Sequence, residues 1–271
     1  MYKKETFTAV ILFFILQICF AQSSFQNLEL GKNSLNYKGN PLKATDRKSL
    51  AFSDKGAWFG FGFLEQSETQ GGFSGPFLMT EQNGVWLSSS FISLHLTDKN
   101  EQELIDWKSA LVSQNSYNSH LEQEFQNEKL EVKQQLVFSS GHSAIQKTII
   151  TNRSSKTITL YPIYNSKTYL DNIQLSTEGQ FLKLVSSKSN AVGYIQFFNE
   201  GIDIVITKDS FTAKANKLTL KPNETKEIVV SQTYIFPQYD WKKENENLAK
   251  IQFNTLLKDT KKEKENQLAQ L

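Results

Sequence analysis

The sequence predicts an antiparallel all-β sandwich followed by a C-terminal helix. Three observations carry this. Short runs rich in Ile, Val, Thr and Tyr recur between Phe25 and Phe236, at intervals of roughly 8 to 15 residues, the spacing of a meander of short strands. Turn chemistry separates them, as in "SSGH", "TNRSSK", "FNEG" and "KPNE". Beyond Asp240 the pattern changes, with neither Gly nor Pro up to Leu271.

Alternation is plainest in "KLEVKQQLVF", where Leu130, Val132, Leu136 and Phe138 share one face. "AIQKTIIT", "TITLYPIY", "GYIQFF", "DIVIT", "KLTL" and "EIVVSQTYIF" follow. Period-two patterning leaves one face of each sheet in water, as antiparallel sheets allow. At the C-terminus Asp240 is placed to cap a helix, with Leu248, Ile251, Leu256 and Leu257 near helical spacing. One helix is expected from Trp241 to Leu271. Its second half, "KDTKKEKENQ", offers little to pack, so it reads as a connector or as a charged tail.

The N-terminus reads as an export signal. Lys3 and Lys4 precede the apolar run Ala9 to Phe20, and Cys19 and Ala21 stand where a signal peptidase expects small residues. The expected division is signal peptide 1–21, sandwich 22–238 and helical linker 239–271, with a secreted or periplasmic destination. A lipidated Cys19 is disfavoured by bulky Gln17 and Ile18. The apolar run is short for a bilayer span, so no membrane contact is expected after cleavage. The cleaved chain has no cysteine, which excludes disulfides, a thiol nucleophile and thiolate metal ligands.

A formal net charge of +2 without a basic stripe argues against nucleic acid. No catalytic residue can be named. The three histidines, His95, His120 and His142, are scattered without metal-ligand spacing, so no metal is expected. There is no GxSxG elbow, and "GGFSG" lacks the lysine of a phosphate loop. Glu65 and Glu68 read as an exposed loop. No cofactor is implied.

One stretch stands apart: "SDKGAWFGFGFLEQSETQGGFSGPFLMT", residues 53–80, with six glycines among its aromatics. In its first strand Trp58 alternates with Gly60 and Gly62, opposite Phe59, Phe61 and Phe63. Small residues on one face admit a close neighbour, whether sheet, helix or ligand. The aromatics suit a core, and they also suit a platform for sugar rings.

This stretch, with "VWLSSSFISLHL" after it, resembles the signature near the start of glycoside hydrolase family 63. The similarity is to its bacterial α-glucosidase-like and mannosylglycerate-hydrolase-like members. Asp54, Gly56, Ala57 and Trp58, then Gly71, Gly72, Phe73 and Gly75, carry the resemblance. It implies an N-terminal antiparallel β-supersandwich, then an α-helical linker into an (α/α)6 barrel. That barrel holds both catalytic acids, an inverting pair roughly 6.5–9.5 Å apart. No position here matches those acids. The resemblance therefore implies a sandwich inactive alone, its partner a barrel in cis or on a separate chain, and an oligosaccharide as possible ligand. Asp54, Trp58 and Phe73 become the candidates near substrate, and the loop Gln66 to Gly75 a candidate wall of a sugar pocket.

Overall fold

A computed structural model describes residues 25–271 except 82, 199 and 200. The expected signal peptide, 1–21, lies outside the described residues. The chain opens with a short helix, α1 (Gln26–Leu30), and an extended segment leading to β1 (Phe59–Gly62). β2 (Ser74–Leu78) and β3 (Val85–Trp86) complete a three-stranded antiparallel sheet with β1.

β4 (Ser93–Thr97) and the one-turn helix α2 (Trp107–Ala110) lead into the large sheet through β5 (Leu111–Ser116). β6 (Leu121–Gln126), β7 (Leu130–Phe138) and β8 (Ser143–Asn152) continue it as a meander. β9 (Ile158–Lys167) departs into the facing sheet, and β10 (Ile173–Glu178), β11 (Phe181–Ser186) and β12 (Val192–Phe197) return. β13 (Asp203–Ile206), β14 (Ser210–Lys214) and β15 (Leu218–Leu220) join β9, and β16 (Thr225–Ile235) closes the large sheet between β12 and β8. The large sheet runs β10-β11-β12-β16-β8-β7-β6-β5; in the smaller one β9 pairs with β4, β14 and β15. All the strand pairings are antiparallel. The fold is the all-β sandwich that the alternation predicts.

The alternation also sets the core. Leu130, Val132, Leu136 and Phe138 point inward and are almost fully buried. Phe138 lies 5.8 Å from Phe52 and 5.2 Å from Phe59 between ring centroids, tying the large sheet to β1. Phe59, Phe61 and Phe63 are core, and the glycines opposite meet backbone. A Cβ on Gly60 would sit 2.7 Å from the Phe52 carbonyl oxygen, and one on Gly62 2.5 Å from that of Tyr37. The close neighbour is the protein's own chain, residues 37–52.

The C-terminus differs from the expected single helix. It forms α3 (Trp241–Lys250) and α4 (Phe253–Leu268), broken by extended backbone at Ile251 and Gln252. Asp240 does cap α3, accepting from the Lys242 and Lys243 amides. The break has a packing cause. Val137 and Ile145 face outward from the large sheet, and Leu248, Phe253 and Leu257 cover them as a second core. Leu248 and Phe253 both reach that patch because the chain turns between them. Nor is the polar half of α4 without a partner. Glu265 accepts from the backbone amides of Asn27 and Leu28 at 2.9 Å each, satisfying the free N–H groups that open α1. Lys147, 2% exposed, donates to Asn254 at 2.6 Å and Glu227 at 3.1 Å, with its ammonium over the Phe253 ring.

The outer face also buries Glu122. Burial alone would raise its pKa, but His120, Lys133 at 2.9 Å and the Gln135 amide at 2.7 Å together outweigh it and hold the carboxyl down to about 2. A depressed carboxyl stabilises the fold above its unfolded pKa and loses that contribution as pH falls through the folded one. Acid titration is therefore expected to lower Tm between pH 4.5 and pH 2. Glu122→Gln should flatten that part of the curve, and a slope left unchanged would refute the assignment.

Candidate functional site

The structure separates the motif residues. Asp54 sits at a turn closed by the Ala57 amide, its Oδ1 accepting from Lys264 of α4 at 2.6 Å. Its Oδ2 is buried without a partner among the described residues, beside a cavity of 200 Å³ lined also by Tyr37, Ser116 and Asn118. Gly56 lies in that turn at φ +73°. Trp58 is 57% exposed next to Met79, whose amide donates to its carbonyl. Phe73 is buried 5.9 Å from Phe63. Trp58 and Phe73 thus form no common aromatic face.

Gly71 and Gly72 cross β4 at contact distance. A Cβ on Gly71 would lie 2.0 Å from the Leu94 carbonyl oxygen, and one on Gly72 2.2 Å from that of Ile92. Their own carbonyls receive buried side chains from the large sheet. Gln134 Nε2 donates to the Gly71 oxygen and Gln123 Nε2 to the Gly72 oxygen, both at 3.0 Å. Gln114, Gln123, Gln134 and Thr148 stand in register across β5 to β8, and they hydrogen-bond along the row. This polar ladder seats the loop Gln66 to Gly75 on the sandwich. Gln134→Ala is expected to cost about 1–3 kcal/mol, because its buried hydrogen bonds to the Gly71 oxygen, to Thr148 and from Gln123 are lost together. Chemical denaturation checks it; a change within error would mean that water replaces the ladder.

Beside that loop opens a groove of 570 Å³. Gln70 stands at one wall, Ser88 to Ser90 at its floor, and Asn165, Ser166 and Tyr169 opposite. Ser93 Oγ donates to Gln70 Oε1 at 2.7 Å. Ser88 and Ser166 hydroxyls lie 3.0 Å apart, and Ser166 also donates to the Ser90 carbonyl. Tyr169 is 37% exposed, with its hydroxyl fixed on the Pro41 carbonyl at 2.8 Å. His95 links Glu103 on Nδ1 to Asn165 Oδ1 on Nε2, the latter at 3.1 Å. The hydrogen bond that Nδ1 donates to the Glu103 carboxylate raises the imidazole pKa above its usual 6.5, favouring the form that donates from both nitrogens.

Sequence reasoning names Gln70 only within the loop Gln66 to Gly75, and it singles out neither Asn165 nor Tyr169 nor the pairing of His95 with Glu103. The serine run "LSSSF" was the available signal. A polar run between apolar residues marks a wet, built surface only once its neighbours are known. Two carboxylates line neither this groove nor the Asp54 cavity, so neither holds the pair that glycoside hydrolysis requires. Among the described residues no cluster of three or more His, Cys, Asp or Glu could hold a metal.

The class this defines, an antiparallel sandwich domain of a carbohydrate-active enzyme family, is the one the family match gives. The chain belongs to the family described as glucosidase YgjK, N-terminal, which matches residues 39–192. No curated protein matches it. Among solved structures it is similar to a protein from the human microbiome provisionally named a kojibiose phosphorylase. That match has a TM-score of 0.54 and 10% identity, covering 77% of this chain and 34% of the other. A protein of Escherichia coli K12 provisionally named an aldose 1-epimerase also matches, at TM-score 0.47 and 8% identity, over 66% of this chain and 97% of the other. A polysaccharide lyase matches at 0.45 and 10%, over 62% and 31%. The chain spans about a third of the length of the phosphorylase.

Proposed function

We propose that this chain is the non-catalytic N-terminal β-supersandwich of a secreted, family-63-like glycosidase. It works beside an (α/α)6 barrel that hydrolyses α-glycosides, joined in cis or supplied as a separate chain. The carrying observation is the match of residues 39–192 to the N-terminal domain of a glucosidase family. The sandwich would then position the barrel and shape the approach to its pocket, while the barrel supplies acid and base.

The native polypeptide, detected in exporting cells with an antibody to the sandwich, tests this. A band well above 31.0 kDa, or a co-purifying barrel protein, is the expected result. A lone band at or below that mass, with turnover of α-glucosides by the purified chain itself, would sink the proposal. A second reading, a free-standing carbohydrate-binding or protein-interaction module, draws on one feature. α3 and α4 fold back onto the sandwich and are anchored there by Lys147 and Glu265. A lone band with sugar binding but no turnover would favour it.

A further inference from the structure

The groove beside the loop Gln66 to Gly75 is furnished for a particular chemistry. Two of its carboxamides use their oxygens inside the fold. Gln70 Oε1 accepts from Ser93, and Asn165 Oδ1 accepts from His95 Nε2 when the imidazole is held by Glu103. A planar amide whose oxygen is fixed has its NH2 turned the other way. Gln70 Nε2 and Asn165 Nδ2 have no partner among the described residues, and both side chains line the groove. The hydroxyls of Ser88 and Ser166 satisfy each other and a backbone carbonyl, leaving lone pairs as acceptors. Tyr169, with its hydroxyl tied to Pro41, presents a ring that cannot swing freely.

Charge narrows the ligand further. Lys167 is the one charged residue in the lining, and Asp209 pairs with it at 3.0 Å. An anion such as a phosphate or uronate would call for an unpaired cation. A sugar hydroxyl both donates and accepts, so it suits amide donors beside serine acceptors, and a ring C–H face suits an aromatic wall. The volume, 570 Å³, admits a short oligosaccharide.

We propose that this groove binds a short neutral oligosaccharide. Gln70 and Asn165 donate to its hydroxyls, Tyr169 stacks on a ring, and His95 with Glu103 is the positioning pair that orients Asn165. The ligand class rests on the carbohydrate-active reading of the domain, but binding does not need a barrel.

The test is calorimetric titration of the full chain with maltotriose and with kojibiose, and with glucuronate as the charged control. Saturable binding of at least one neutral sugar, at a Kd on the order of 1 mM, is expected. Gln70→Ala with Asn165→Ala should weaken it by about tenfold or more, since two neutral hydrogen bonds to the sugar are lost together. His95→Ala should weaken it as well, whereas His95→Gln, which keeps a donor near the Nε2 position, should restore it. Thermal unfolding of each variant confirms that the fold persists, and Gln70→Ala on the surface loop serves alone if Asn165→Ala does not fold. No saturable binding of either neutral sugar overturns the proposal. So does binding that the amide variants leave unmoved, or a preference for glucuronate. If these fail while a barrel is found attached, only the groove assignment falls. Sugar binding by a chain that has no barrel would retain the groove and refute the glycosidase reading.

Discussion

Phe138→Ala is expected to lower stability by about 3–5 kcal/mol, the range for removing a buried phenylalanine. The ring is 0% exposed and is the meeting point of Phe52, Phe59 and Phe61, which belong to the β1 layer rather than the large sheet. Its loss empties the seam between layers, and neither sheet can move in without breaking its own register. Urea unfolding followed by tryptophan fluorescence measures it. Phe138→Leu should recover part of the loss, since it refills some of the volume. A cost below about 1 kcal/mol would mean that the seam collapses around the gap, contrary to close packing.

Gly71→Ala is expected to be similarly severe, about 3 kcal/mol or more, by overpacking rather than by a cavity. The added methyl would sit 2.0 Å from the Leu94 carbonyl oxygen and 2.7 Å from the Trp107 ring. Leu94 cannot yield easily, because its amide is bonded to Gly71 and its strand to β9. The methyl would also push the Gly71 oxygen off Gln134. Thermal melts of Gly71→Ala beside Gly56→Ala make the comparison. The Gly56 position has open space around its Cβ, so its cost comes from its positive φ alone and should be smaller. Equal losses would mean that backbone conformation, not contact, sets the requirement for glycine at Gly71.

Much of the fold was legible. Leu130, Val132, Leu136 and Phe138 read as one face of a strand and are that face. Gln134 falls on the same face between them, and a glutamine at an inward position was the visible trace of the ladder. What it bonds could not be read, because its acceptor is the Gly71 carbonyl, brought from another layer. Asp240 was recognisable as a cap because capping is local. The break at Ile251 was not, since neither Gly nor Pro marks it and its cause is the apolar patch on β7 and β8.

The candidate site was the less readable part. The aromatic-glycine stretch pointed to a place, but Trp58 and Phe73 look alike in sequence and end apart. One is exposed at a sheet edge; the other fills the core. Exposure depends on what covers a residue, and the cover here comes from elements elsewhere in the chain.

The sequence by itself determined the strand class, the inward faces, the start of the C-terminal helix and the glycines that let backbones meet. These follow from periodicity and from local backbone sterics, which a residue and its near neighbours settle. Only the tertiary structure decided where α4 lies, and that Gln70 and Asn165 share one groove with His95 bonded to the Asn165 amide. Those outcomes depend on strand register between β4 and β9 and on apolar faces finding each other across long stretches of chain. A pattern of period two states which way a side chain points and not what it will meet.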